Sequence, residues 1–109
     1  MIEYLSLQKI NALHEQEIVD AVEKVVRSGW YLHGQATERF ERHYADFIGT
    51  RHCIGCGNGL DALTLIFRAS KELGVLHDDD EILVPANTFV ASILSITENG
   101  LRPTPMAPK

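Results

Sequence analysis

Apolar positions recur at helical spacing through the first half of the chain. Between Leu13 and Ser28, the residues Ile18, Val22, Val25 and Val26 form one stripe, while Glu17, Glu23, Lys24 and Arg27 supply a wet face. This pattern predicts an amphipathic helix that Gly29 ends. A second helix is predicted from Gln35 to Ile48, with Ala36, Phe40, Tyr44, Phe47 and Ile48 on its apolar stripe and Gly49 closing it. Between the two lies a loop with adjacent aromatics, Trp30-Tyr31-Leu32-His33-Gly34.

From His52 the pattern changes. His52 to Gly55 reads as a short strand that turns through glycines into a third helix, Leu60 to Leu73. Ala62, Ile66, Ala69 and Leu73 mark its stripe, Leu63 and Phe67 widen it, and Gly74 suits the position past its end. Glu81-Ile82-Leu83-Val84 is a compact apolar strand stopped by Pro85. A fourth helix is predicted from Thr88 to Glu98, capped by Asn87 or Thr88, with Gly100 beyond it. Helix, helix, then strand–helix–strand–helix predicts an α/β layer with a parallel strand pair and a right-handed crossover. Alternation makes the last segment a further strand, yet Pro103, Pro105 and Pro108 remove too many donors for a central one. A parallel sheet this small leaves one face uncovered, so the expectation is a fragment or a chain that a partner completes.

Composition narrows the class. The 109 residues amount to about one domain. With 45% hydrophobic and 23% charged residues and a net charge of −5, they read as an ordinary globular protein. Mild acidity and scattered Lys and Arg argue against nucleic acid as a partner. No run approaches the ~20 apolar residues of a membrane span. The start, Met1-Ile2-Glu3-Tyr4, lacks a signal-peptide pattern, so a cytoplasmic setting is expected.

Four stretches carry candidate chemistry. Gly55-Cys56-Gly57-Asn58-Gly59 fits neither the dinucleotide fingerprint nor the P-loop, but the amides of Gly59, Leu60 and Asp61 form a plausible phosphate cup at a helix start. The plain alternative is a tight turn without a ligand. Cys53 and Cys56, beside His52, have the spacing of a redox pair or half a zinc site. In a strand they would face opposite ways, so two small buried hydrophobes is the better reading. Val84-Pro85-Ala86-Asn87-Thr88-Phe89-Val90-Ala91-Ser92 brings a second polar-aromatic loop to the same expected sheet edge, where ligands of open α/β sheets bind. Phe89 is suited to stack on a flat cofactor ring; otherwise it packs and its neighbours cap. The Trp30 loop reads first as a core plug and second as the lining of an entrance. His14 and His43 fall on solvated helix faces, and His77 heads the acidic turn Asp78-Asp79-Asp80.

Taken in order, Ile18 through Gly34, Phe40-Glu41, Phe47-Ile48-Gly49, Gly57-Asn58-Gly59-Leu60-Asp61-Ala62-Leu63 and Val84 to Ser92 resemble the N-terminal part of the DegT/StrS family, pyridoxal-phosphate (PLP) sugar aminotransferases of fold type I. The resemblance reaches to about Pro103. It implies an α/β fold in which N-terminal helices precede the start of an aspartate-aminotransferase-like large domain, incomplete in this chain. Residues 1–34 would be the helical segment with its aromatic loop, and 35–109 the start of the PLP domain. It further implies PLP phosphate on the backbone amides of Gly59 and Leu60, and Phe89 stacked on the pyridine ring. Many members carry a Thr where Leu60 stands; members acting on 3-keto sugars resemble this chain in having Leu. The implied partners are a nucleotide-linked keto-sugar, an amino donor such as glutamate and a second subunit in a homodimer, with Trp30, Tyr31 and His33 bordering the sugar-nucleotide entrance. The family's Schiff-base lysine and the Asp that pairs with the pyridine nitrogen have no match here, since neither Lys71 nor Lys109 stands in the family's position. No catalytic residue is therefore assigned, and the chain alone is expected to be inactive. The other readings are a non-catalytic α/β interaction module and a redox or zinc protein using Cys53 and Cys56.

Overall fold

In the computed structural model, which describes residues 4–107, the chain forms two compact units, Met1–Gly55 and Cys56–Lys109. The first is all helical. Ser6 accepts the Lys9 N–H on its side chain and starts α1 (Leu7–Ala12), which the hydrophobic pattern did not reveal. A turn at Leu13 and His14 separates it from α2 (Glu15–Ser28), so the helix expected to begin at Leu13 begins two residues later. Gly29 ends α2 in the left-handed region at φ 67°. The third helix, α3 (Gln35–Ile48), runs as predicted and ends on a left-handed Gly49.

The apolar stripes of α2 and α3 stay exposed. Ile18, Val22 and Val26 on α2 and Phe40, Tyr44 and Phe47 on α3 all lie open, and among the described residues of this unit only Gly34 and Ala45 are buried. On α3 the rings form a ladder, Phe40 stacked on Tyr44 at 5.6 Å and Tyr44 tilted against Phe47 at 6.5 Å. The Trp30 loop is not a core plug: Trp30, Tyr31 and Leu32 are exposed, because no element of the unit lies over them.

The expected strand at His52–Gly55 does not form. A strand needs a ladder, and here the Gly55 N–H is spent on the Glu41 carboxylate at 2.6 Å instead.

The second unit is a βαβ layer with one more helix. α4 (Gly59–Glu72) leads through the His77–Asp80 turn to β1 (Glu81–Pro85), then α5 (Val90–Glu98) and β2 (Arg102–Met106). The strands pair in parallel, Glu81 against Arg102 through Pro85 against Met106, as the sequence predicts. Val84, Ile96 and Leu101 form the core, with Phe67, Leu76, Ile82 and Ile93 packed against it. On α4 the buried side is the Leu63–Phe67 side. The expected stripe of Ile66, Ala69 and Leu73 is exposed, because α5 and the two strands offer a surface to one side of α4 only.

That β2 forms despite its prolines is a matter of parity. The Arg102 N–H donates to Asp80 O at 2.9 Å, and the Met106 carbonyl accepts from Ala86 N–H at 2.8 Å. Alternate residues of a strand turn their peptide groups to opposite edges. Pro103 and Pro105 therefore lack N–H groups only on the edge away from β1. The further strand expected from alternation thus forms over 102–106, at the edge of the sheet; Pro108 and Lys109, like Met1 to Glu3, lie outside the described residues.

One cation ties this unit together. Lys71 Nζ, largely covered, pairs with Asp78 and donates to the Asn99 carbonyl at 2.8 Å, at the C-terminal end of α5 where a positive charge is favoured. Lys71→Met is expected to cost about 1–3 kcal/mol at neutral pH, read from urea unfolding followed by circular dichroism. The Asp78 carboxyl is held below its ordinary value of 3.8, first by the hydrogen bond from Lys71 and then by its charge. Its contribution is therefore complete above 3.8 and lost as the pH falls through the lowered folded value. The stability gap between wild type and Asp78→Asn is expected to close over that acid window and to shrink in salt. A gap that instead widened on acidification would contradict the assignment.

Candidate functional site

Asn58 builds the entrance to α4. Its backbone is extended, its Oδ1 accepts the Asp61 N–H at 2.9 Å, and its Nδ2 donates to Asp61 Oδ2 at 3.0 Å. This reciprocal pair satisfies the third N–H of the helix. Gly57 makes room for it, since a Cβ there would stand 2.7 Å from Asp61 Oδ2. The Asp61 amide, one of three expected in the phosphate cup, is thus withdrawn from it. The Gly59 and Leu60 N–H groups carry no hydrogen bond among the described residues. A Cβ on Gly59 would meet nothing within 4 Å, so this helix start is open as well as unpaired. Two free N–H groups at the positive end of a 14-residue helix can bind one anion.

Cys56 precedes this turn and is exposed, its thiol donating to the Asn58 carbonyl at 3.5 Å; Cys53 is half-buried, and both are free thiols. The reading of both as buried hydrophobes fails for Cys56, because the strand that would have buried it is absent. Among the described residues, no group of three or more His, Cys, Asp or Glu side chains is arranged to hold a metal ion.

At the end of β1, Ala86 and Asn87 form a turn in which Thr88 N–H returns to the Pro85 carbonyl at 3.1 Å. The turn delays the helix, so α5 begins at Val90 with Phe89 at the N-cap and no side-chain cap, not at Thr88 capped by Asn87 or Thr88. The Thr88 hydroxyl is engaged instead with that of Ser92 at 2.9 Å. Phe89 itself is 77% exposed, a ring held at a helix start with its faces open. The expected placement of both loops at the carboxyl ends of strands holds for Phe89 only. What the structure brings together is the pair of helices, α4 and α5: Asn99, at the end of α5, donates to Thr64 O on α4 at 3.3 Å and to Ser95 O at 2.8 Å. Sequence reasoning missed the capping role of Asn58, although Asn followed three residues later by Asp ahead of an apolar run is its signature.

The model of the DegT/DnrJ/EryC1/StrS aminotransferase family matches residues 12–108. This chain belongs to that family. As a family member it is 46% identical over 108 residues to a dTDP-3-amino-3,6-dideoxy-alpha-D-galactopyranose transaminase of Aneurinibacillus thermoaerophilus, covering 99% of this chain and 29% of that protein. It is 35% identical over 103 residues to a UDP-2-acetamido-2-deoxy-3-oxo-D-glucuronate aminotransferase of Pseudomonas aeruginosa, covering 94% and 28%. Among solved structures it matches DesV of S. venezuelae, in complex with ketimine intermediate, at 34% identity and a TM-score of 0.85, over 99% of this chain and 28% of that one. The chain thus spans less than a third of the length of these relatives, and its α/β fold is a partial domain of theirs.

The turn before α4 yields a direct test of its construction. Asn58→Ala is expected to cost about 1 kcal/mol, the usual loss of a side-chain cap. Gly57→Ala is expected to destabilise in wild type and to be much milder in an Asp61→Ala background, which removes the atom it strikes. A double-mutant cycle by urea unfolding measures that coupling, and strict additivity would refute the contact.

Proposed function

We propose that this family member contributes the cofactor-phosphate segment of a PLP-dependent aminotransferase that converts a nucleotide-linked keto-sugar, a 3-keto sugar by preference, into an amino-sugar with glutamate as donor. The observation that carries the reading is the pair of unpaired, sterically open amides at Gly59 and Leu60, in a chain whose relatives are nucleotide-sugar transaminases by name. The residues present fit the phosphate of PLP: two N–H donors at a helix start, with no side chain in the way. Phe89 would lie against the ring. In this reading residues 35–109 open the PLP domain and 1–34 precede it.

When bound, PLP supplies the electron sink that amino transfer requires. The part played by this chain is to bind and orient. Gly59 and Leu60 would fix the phosphate, Asn58 and Asp61 would hold those amides in place, and Phe89 would shield one ring face from water. Lys71, on the helix that follows the phosphate turn, is already held by Asp78 and Asn99. The chain alone is accordingly assigned no turnover. We place the working enzyme in the cytoplasm as a homodimer, with no role for nucleic acid or membrane; no described helix is long and apolar enough to cross one.

The test is a chimera in which this chain replaces the matching N-terminal stretch of the Aneurinibacillus enzyme. It is expected to retain PLP and transfer nitrogen from glutamate. Gly59→Pro removes one donor at a position where proline suits a helix start, and the extended Asn58 tolerates it. It is expected to weaken PLP retention roughly tenfold with helix content unchanged. A folded chimera that binds PLP equally well with and without Gly59→Pro would refute the phosphate assignment.

The exposed stripes of α2 and α3 favour a second reading, a module that associates with itself or with a longer homologue. It predicts a concentration-dependent dimer on size-exclusion chromatography, reduced by Phe40→Gln with Phe47→Gln. A monomer at all concentrations that shows no binding to the longer homologue would dismiss it.

A further inference from the structure

Phe89 breaks two local rules at once. It occupies the N-cap of α5, a position that favours short polar side chains, and leaves that helix without a side-chain cap. Its ring is also 77% exposed, with Val90 open beside it. Asn87 and Thr88, both better fitted to cap, stand just ahead of it in the chain. A residue that gives up both capping and burial is placed for the sake of its side chain. Since so little packs around the ring, where it stands depends on the backbone that carries it.

That backbone is held on both sides. Ahead of Phe89, the Ala86 N–H donates to Met106 O at 2.8 Å and the Thr88 N–H to Pro85 O at 3.1 Å, which anchors the turn to both strands. Behind it, the Ser92 N–H returns to the Phe89 carbonyl at 3.0 Å. One side-chain contact spans the residue itself: Thr88 Oγ1 and Ser92 Oγ lie 2.9 Å apart and half-buried. Each hydroxyl has the other as its only hydrogen-bond partner among the described residues. The β-branched Thr88 has few rotamers open to it. Ser92 is fixed from the helix side, where its carbonyl accepts from the hydroxyl of the fully buried Ser95 at 2.9 Å. The hydroxyl pair thus closes the stretch 88–92 on itself, with Phe89 inside it.

We propose that Thr88 and Ser92 are positioning residues for Phe89: their hydroxyl pair stands in for the missing cap and holds the exposed ring in one place, ready to cover a flat heteroaromatic ligand. This rests on the cofactor reading above and adds to it what fixes the stacking face. Neither hydroxyl is required to touch the cofactor. A ring already fixed loses less freedom on stacking than a mobile one, so the effect falls on affinity for the ligand's ring and not for its phosphate.

The intact chain gives the first measurement. Thr88→Val keeps the side-chain shape and removes the hydroxyl. It is expected to speed hydrogen exchange of the Ser92 amide about fivefold, whereas Thr88→Ser keeps the wild-type rate. Unchanged exchange in Thr88→Val would overturn the proposal whether or not any cofactor binds. The second measurement is calorimetry on the chimera described above, with pyridoxine 5′-phosphate and inorganic phosphate as probes and circular dichroism to check folding. Thr88→Val and Ser92→Ala are each expected to weaken pyridoxine 5′-phosphate roughly fivefold and to leave inorganic phosphate unchanged, while Gly59→Pro weakens both. Phe89→Leu is expected to weaken pyridoxine 5′-phosphate and to abolish any further effect of Thr88→Val. A loss in Phe89→Leu with none in Thr88→Val or Ser92→Ala overturns the positioning role and spares the stacking. No loss in Phe89→Leu removes the stacking reading and the positioning role with it. An equal loss of inorganic phosphate in Thr88→Val would give the hydroxyls a general structural role and overturn the proposal as well.

Discussion

The Asn99–Gly100 corner holds the second unit together. The chain must leave α5 and reverse into β2 there, which requires Gly100 at φ 69°. Several polar groups of the corner find partners on other elements as well as on α5 itself. The Asn99 amide reaches Thr64 O on α4 and Ser95 O on α5, its carbonyl takes Lys71 Nζ, and Gly100 O takes the Asp79 N–H ahead of β1. In a body of two strands and two helices, hydrophobic burial is limited to Val84, Ile96, Leu101 and their neighbours. The corner adds direction to that small core. It sets where α4 lies on α5 and where β2 starts against β1.

From that corner the sheet can grow one way only. The parity of Pro103 and Pro105 leaves the outer edge of β2 without donors at both positions, which is how edge strands avoid pairing with other chains. The free edge of β1 keeps the Glu81 and Leu83 peptide groups, and only Pro85 lacks a donor on it. Leu83 is exposed on this strand. The prolines that argue against a central strand are thus compatible with an edge strand, and the sequence pattern could not say which edge they would face until the register was known.

This sets what was legible beforehand. The helices Gln35–Ile48 and Gly59–Glu72, the strand Glu81–Pro85 and the parallel pairing follow from period and glycine punctuation, because those signals are local. Signals that depend on a neighbour misled. His52–Gly55 has strand composition but no ladder partner, and Ile66, Ala69 and Leu73 form a good stripe with nothing over it. Cys56 and Trp30 are of types usually covered and are open here. In each case the residue type reports a burial that this length of chain does not supply. At the site, Gly59, Leu60 and Phe89 fell at helix starts as expected, while the capping of Asp61 by Asn58 went unread.

That cap changes how the helix start works. With Asn58 and Asp61 bonded to each other in both directions, the third amide of α4 is already paired, and the carboxylate of Asp61 is drawn to the side where Gly57 leaves space. A free Asp61 carboxylate would otherwise lie in the first turn, where it would compete with any anion for the same positive end of the helix. The bond to Asn58 holds that carboxylate in place and leaves the Gly59 and Leu60 amides without a hydrogen bond among the described residues. The glycines differ in role: Gly57 admits the carboxylate, while a Cβ on Gly59 would meet nothing within 4 Å. A turn that only starts a helix needs the cap but not the open surroundings found at Gly59. Having both is what suits this junction to the phosphate role proposed for it.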